Sequence, residues 1–422
     1  LAAARARHLP IAELRRHLEH RLDPLTGGAR DLPGRHQTMR GALDWSYALL
    51  DAPEMRTFRA VGIFREGFDR LAAAVVAGAG AGDGTDSVTA LDRLVDSSLV
   101  IFDPARLPEG RYRLLDVGRE YALERATAAG EVAGLRRRHA THYMEVAESA
   151  EPGMRGERQQ ETFDTLAQDW ANMRAAITWA LAEDDGDIAL RLCGALWMFW
   201  RWAGLVSEGR ALLDAALEMG TATGVEVRCQ GLWGAGWLAF HAGDYRRTAE
   251  LGQTMLQLLS PRGDGVLVRN GLTLLGNAAL GEQRLGAAVE ALTAALAAGE
   301  SAGPGWHRAT SLLNLGTAQR ASGEAAEAEK NLHAALAMYE DLGDRQFTAR
   351  TLAQLGYLAL EVSGPPRPSV RRNRRWRCLP ASATSGPSPR AWRWWRRCAR
   401  RVRRRSPSSW APAPAASVRG SG

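Results

Sequence analysis

The amino-acid sequence predicts a mainly α-helical protein in which a winged-helix domain precedes an α-solenoid of helical hairpins with a period of 40 residues. Three observations carry this reading. The dipeptide Leu-Gly recurs at Leu275-Gly276, Leu315-Gly316 and Leu355-Gly356, always 40 residues apart, with Gly236 one period earlier and a weaker unit around Trp197. Inside each unit, apolar and small residues fall at three-and-four spacing on two successive segments, as paired amphipathic helices require. Residues 37–126 break this rhythm, because two short runs, SLVIF and RYRLL, flank the turn-rich DPARLPEG and read as strands of a hairpin.

The elements follow in order. QTMRGALDWSYALL places Met39, Leu43, Tyr47 and Leu50 on one helical face, and Asp51 caps the next helix with Pro53 in its first turn. Further helices are expected around Phe68–Ala77 and Thr89–Asp96, before the hairpin and a return to helix in VGREYALERA. Three helices and a hairpin make a winged helix over 37–126. The third helix of such a domain can enter a DNA groove, but here Arg93 stands between Asp92 and Asp96, so DNA reading by this domain is not expected.

A helical linker spans 127–190 and the solenoid 191–362. The third repeat sets Leu272, Leu275, Gly276 and Ala279 on its first helix and Ala288, Leu292 and Ala295 on its second. The fourth sets Leu312, Leu315 and Gly316, then Gly323, Ala328, Leu332 and Ala335. Small residues stand where two helices cross closely, and Gly243-Asp244 and Gly323-Glu324 stand at the turns. These positions resemble the tetratricopeptide pattern, with a link between repeats about six residues longer than its usual period of about 34.

Charge separates the body from the tail. The chain of 422 residues carries a net +7, but residues 365–422 hold sixteen Arg and no Asp, Glu or Lys, so the preceding 364 residues are net −9. The body therefore lacks the basic footprint of a nucleic-acid binder. No run of eighteen apolar residues and no secretory signal occurs, so no membrane contact is expected and the expected location is cytoplasmic. Cys193 and Cys229 are the only cysteines before the tail and read as core thiols.

The tail, 363–422, is Arg-, Pro- and Trp-rich, as in RAWRWWRRCARRVRRR, and begins where an alanine-rich second helix of the fifth repeat is due. It is expected to be disordered and to come from a frameshifted reading of a GC-rich gene. The rival reading is a basic arm that binds nucleic acid through Arg and stacking Trp.

In order along the chain, LAAAR, LTGGARDLPGRHQTMRGALDWSYALL, GIFREGFD, LVDSSLV, YRLLDVGREYALE and LRRRHATHYMEVAE resemble STAND-class signal-transduction ATPases, in the actinobacterial branch of LuxR-type and SARP-type transcriptional regulators. The resemblance spans residues 1 to about 362 and implies a nucleotide-binding module, a winged helix and a tetratricopeptide sensor. Residues 1–36 then correspond to the helical end of the nucleotide module. The phosphate-binding loop and the acidic strand that holds Mg²⁺ belong upstream, so ATP or ADP and Mg²⁺ are implied for a full-length parent, and no cofactor and no enzymatic activity for this fragment. Related NTPases place a nucleotide-sensing Met-His-Asp after the second wing strand, where this chain has Leu114, Leu115 and Asp116. Asp116 matches and the His does not; the alternative role for Asp116 is the N-cap of the following helix.

Other candidate sites are weaker or broader. His139, His142 and Glu145 share a helical face, but a His pair among the arginines of LRRRHATHYMEVAE reads as surface or interface, and no metal site is expected. In a tetratricopeptide stack the first helix of each hairpin lines a concave groove. That face presents Met198, Arg201 and Trp202, then Trp233 and Trp237, then Asn277, then Asn314, Thr317 and Arg320, as a groove for a protein or small-molecule effector. Alternatively, Trp197, Trp200, Trp202, Trp233 and Trp237 fill the contact between the first two hairpins. The function expected is the signal-sensing and relay portion of a cytoplasmic STAND-type regulator, with DNA reached only through an output domain absent here. The alternatives are a free-standing tetratricopeptide adaptor and nucleic-acid binding through the tail.

Overall fold

The structure is a computed structural model that describes residues 39–78, 84–105, 110–219, 223–259, 265–300, 303 and 305–363. The expectations for residues 1–36 and for the tail beyond Ser363 lie outside the described residues. The chain forms two compact units, one running to Met154 and including Arg158–Ala242, the other comprising Arg155–Glu157 and the chain from Gly243.

The first unit opens with α1 (Met39–Ala48) and α2 (Ala52–Val61). A reciprocal capping box starts α2: Glu54 N–H donates to Asp51 Oδ1 at 2.8 Å and Asp51 N–H donates to Glu54 Oε2 at 2.9 Å, satisfying two donors that a helix start leaves open. Next come β1 (Gly67–Phe68), α3 (Arg70–Ala77), α4 (Gly84–Asp96), β2 (Ile101–Asp103), β3 (Arg111–Arg113) and α5 (Asp116–Ala128). The strands pair antiparallel in the order β1-β3-β2, with Phe68 opposite Tyr112 and Tyr112 opposite Phe102. This helix-strand-helix-helix-hairpin order is that of a winged helix. The sequence reading placed Phe68 at the start of a helix; it lies in β1, a strand of two residues that no period-two pattern can reveal, and Asp69 caps α3 instead by accepting from Ala72 N–H at 2.7 Å.

Two long helices, α6 (Val132–Ala150) and α7 (Gln159–Ala182), pack beside this domain. Buried Asn172 of α7 clamps the chain around β1: its Nδ2 donates to the Gly67 carbonyl at 2.9 Å while its Oδ1 accepts from Arg65 N–H at 2.9 Å. Arg138 of α6 caps α3 by donating from Nε to the Val76 carbonyl at 2.8 Å. Three helices complete the unit, α8 (Gly186–Ala203), α9 (Val206–Met219) and α10 (Val225–His241).

The second unit is a run of antiparallel helices, α11 (Tyr245–Leu258), α12 (Gly265–Gly281), α13 (Leu285–Ala298), α14 (Trp306–Ala321), α15 (Ala325–Asp341) and α16 (Arg345–Ser363). The small residues at the crossings do what their spacing implied. A methyl group on Gly276 would stand 2.5 Å from Leu292 Cγ, and one on Gly316 would stand 2.7 Å from Leu332 Cγ, so each glycine admits the leucine of the second helix. The α14–α15 turn holds Gly323 at φ 84, and the turn before α11 holds Gly243 at φ 77; the equivalent residue of the α12–α13 turn is Gln283, at φ 61. Buried Asp344 fastens the last hairpin, accepting from Trp306 Nε1 at 2.9 Å and from Phe347 N–H at 3.0 Å.

Candidate functional site

The expected groove residues divide between the two units and have unequal fates. In the first unit, Met198 of α8 and Trp233 and Trp237 of α10 are buried. Trp197 and Trp237 stack with centroids 5.9 Å apart, and Trp233 meets Trp237 edge-on at 5.5 Å. This is a correction: the three residues belong to the packing between α8 and α10 and line no open groove. Glycines at the contact explain it, since a methyl group on Gly234 would stand 3.0 Å from Trp197 Cβ and one on Gly231 would stand 2.4 Å from Leu190 Cδ1, so α8 and α10 close on each other and enclose the indoles between them. Trp200, which belongs to the same alternative reading, is likewise buried. Arg201 is half-buried, and Trp202, 36% exposed, stacks on Phe163 of α7 at 5.0 Å.

In the second unit the polar residues lie on the first helices, α12 and α14. The hydroxyls of Thr273 and Ser311 meet at 2.9 Å and fix how these two helices are aligned. About one turn further along the same helices stand Asn277 and Asn314, only 1% and 3% exposed. Both amide atoms of Asn277 and the Nδ2 of Asn314 are buried without a hydrogen-bond partner. Each such atom costs about 1–3 kcal/mol. Thr317 turns its hydroxyl to its own helix, donating to the Leu313 carbonyl at 2.7 Å. Arg320 reaches α16, where it donates to Gln354 Oε1 at 3.2 Å, pairs with Glu361 and lies 5.6 Å over the Tyr357 ring.

The capping role weighed for Asp116 is not the one it takes. The N-cap of α5 is Leu115, and Asp116 is the first residue of the helix, exposed, where its charge meets the positive end of the helix dipole. Leu115 is exposed and Leu114 is buried, so the position that a diphosphate-contacting His would occupy offers no donor. The residues present do not fit a nucleotide at this motif.

His139 and His142 are also placed differently from the surface or interface position expected. Both are buried, with Tyr143 ring centroids 4.8 Å and 5.1 Å away, because α6 turns this face onto α3 and α7. Burial pushes the His139 imidazole down to about 4 and lowers His142 as well, so both are held neutral. Among the described residues, no group of three or more His, Cys, Asp or Glu stands close enough to hold a metal ion. Cys193 and Cys229 are buried thiols, pushed up by burial, Cys229 to about 11.

The polar feature that sequence reasoning missed is a buried ion pair. Arg111 of β3 and Asp169 of α7 have side chains only 8% and 7% exposed and pair directly, while Arg111 Nη2 also donates to the Gly67 carbonyl at 2.9 Å. Burial pushes the Asp169 carboxyl above its usual value, and the guanidinium opposes that shift. The two partners are 58 residues apart and belong to elements of different period, so no local pattern links them.

In α4, Arg93 does not face solvent alone: it pairs with Asp51 at 3.1 Å and Glu54 at 3.3 Å, and Asp92 pairs with Arg70 at 2.8 Å. No helix among the described residues is long and apolar enough to cross a membrane.

No family model matches the chain. A Mycobacterium tuberculosis protein described as a candidate HTH-type transcriptional regulator is 34% identical over 220 residues, 51% of this chain and 24% of its own length. A Mycobacterium bovis protein of the same description gives the same figures. A second Mycobacterium tuberculosis protein, uncharacterized, is 32% identical over 160 residues, 37% of this chain and 40% of its own length. The chain thus spans about a quarter of the length of the regulators it matches. A solved structure of a STAND protein with a tetratricopeptide repeat sensor from Pyrococcus horikoshii aligns over 87% of this chain and 62% of its own, with 10% identity and a TM-score of 0.31.

Proposed function

We propose that this chain is the signal-sensing and relay portion of a STAND-type transcriptional regulator of the LuxR or SARP type, in which the helical repeats receive a protein or small-molecule effector. In this reading the winged helix passes the state of the repeats to the rest of the parent, and DNA is reached through a separate output domain. The chain itself binds and relays and catalyses nothing; ATP or ADP and Mg²⁺ belong to a nucleotide module of the parent, and the setting is the cytoplasm. Support comes from the winged-helix order followed by helical hairpins, and from likeness to relatives described as HTH-type regulators.

The observation that carries the effector reading is the pair of buried, unpartnered amides, Asn277 and Asn314, on adjacent first helices of the second unit. A fold selected for stability alone would fill those places with apolar groups, since replacing unsatisfied buried amides by isosteric carbon removes their desolvation cost. An effector that reached these amides would meet donors and acceptors that no neighbouring group satisfies.

The test is the double variant Asn277→Leu and Asn314→Leu, introduced into the gene of the parent regulator. The repeats are expected to unfold at the same temperature as wild type or higher, while the genome-wide transcript profile shifts to that of a strain lacking the gene. A stable variant whose transcript profile matches wild type would sink the effector reading.

A further inference from the structure

A cleft of about 540 Å³ opens in the first unit, where α5, α6 and α7 meet the segment that follows α2. Its volume is in the range of small-molecule sites. Ile63, Leu123 and Ala175 supply apolar wall, and Trp179 adds an aromatic one. Four arginines reach it: Arg65, Arg119, Arg136 and Arg174. Of these, Arg174 is neutralised by Glu208 at 2.6 Å. The other three have no carboxylate in salt-bridge range among the described residues, and Glu183 is the cleft's one acidic lining residue there.

Three uncompensated guanidiniums converging on one small cleft repel one another, and the repulsion is visible at Arg65, whose proton affinity is lowered by burial and by the charges of Arg119 and Arg136. A protein surface does not gather like charges in a concavity for stability. The floor carries a second unmet demand, since His139 lines the cleft and its Nε2 is buried without a partner.

We propose that this cleft binds a small organic compound carrying two or more phosphate groups. Planar guanidiniums fit phosphate oxygens two at a time, which an ammonium cannot do. A compound with at least two phosphates meets the charge of Arg65, Arg119 and Arg136, while the apolar wall and Trp179 take its carbon skeleton. A cleft of about 540 Å³ matches the size of such a compound, whereas an acidic peptide or a nucleic-acid strand needs a longer track. Because α6 and α7 meet the winged helix at this cleft, an occupant ties the three together.

Inorganic pyrophosphate is the probe, titrated into the full chain by calorimetry at constant ionic strength, beside a hexaglutamate peptide. Saturable binding at one site per chain is expected, weakened at least about tenfold by Arg65→Gln and again by Arg136→Gln. Arg246→Gln, a side chain 88% exposed in the second unit, is expected to leave it unchanged, which separates the cleft from a general loss of positive charge, while the losses at Arg65 and Arg136 separate it from attraction to the Arg-rich tail. Amides of α6 and α7 are expected to exchange more slowly with solvent deuterium when pyrophosphate is bound. Absence of binding at millimolar pyrophosphate would overturn the proposal, as would affinity that survives Arg65→Gln with Arg136→Gln, or a hexaglutamate affinity equal to that for pyrophosphate.

Discussion

Replacing Asp169 by Ala is expected to be among the most damaging single changes in the first unit. Among the described residues Asp169 is the one carboxylate in salt-bridge range of the Arg111 guanidinium, whose Nη2 would keep its bond to the Gly67 carbonyl while its charge, 8% exposed, lost its direct counter-ion. Arginine stays protonated, so the site cannot relax by neutralising itself. Breaking a buried pair from one side costs about 3–5 kcal/mol. For a unit of this size that corresponds to a fall of about 6–20 °C in unfolding temperature, measurable by circular dichroism at 222 nm. Local loss should be seen first, as faster hydrogen exchange of the Phe68 and Tyr112 amides, because Arg111 pins β3 to α7 and to β1 together. The control is Asp169→Leu combined with Arg111→Met, which removes both charges and should recover most of the loss, since apolar replacement of a whole buried pair is often neutral or better. Two outcomes refute the reasoning: a cost below about 1 kcal/mol for Asp169→Ala, or a double variant as unstable as the single one.

Further expectations concern the turns and the acid limb. Gln283 occupies the left-handed position that glycine holds at 243 and 323, so Gln283→Gly should stabilise the second unit by about 1 kcal/mol and Gly323→Ala should destabilise it by about the same amount; thermal melts that move the other way would contradict this. Because burial holds His139 down to about 4, the unfolded chain takes up this proton between about pH 6.5 and pH 4 while the folded chain does not. The stability is therefore complete above pH 6.5 and lost as pH falls, by about 3 kcal/mol across the window. His142, lowered in the same direction, adds to the slope. Urea midpoints at pH 7 and pH 4.5 measure it, and His139→Leu should flatten the difference; an unchanged difference would contradict the assignment.

The repeat architecture was legible in the sequence because its determinants are local and periodic. Gly276 and Gly316 sit where leucines of the second helices enter, and Ala288 and Ala328 are fully buried at the places their spacing implied. The Asp51 cap of α2 was legible for the same reason, with Pro53 in the first turn beside it; the reciprocal bond from Asp51 N–H to Glu54 came only with the structure. Two-residue β1 was not, since pairing with Tyr112 and Arg113, not any pattern in Gly67 and Phe68, makes it a strand.

Site residues were legible only as faces. The spacing put Trp233 and Trp237 on the first helix of a hairpin, but whether that face meets solvent or α8 depends on how closely two helices approach, and glycines at 231 and 234 bring them together. The same helical bookkeeping located Asn277 and Asn314 but not their isolation from partners, which depends on every neighbouring atom. The sequence by itself thus determined most of the helices, the cap at Asp51, the period of 40 and the acidic balance of the body, and the first three follow from residues within a turn or two of one another or from a fixed period. Only the tertiary structure decided which polar groups are paired, as Arg111 is with Asp169 across 58 residues, and which like charges converge, as Arg65, Arg119 and Arg136 do. Desolvation and Coulomb energy depend on distance in space, and distance in space between remote segments is set by packing.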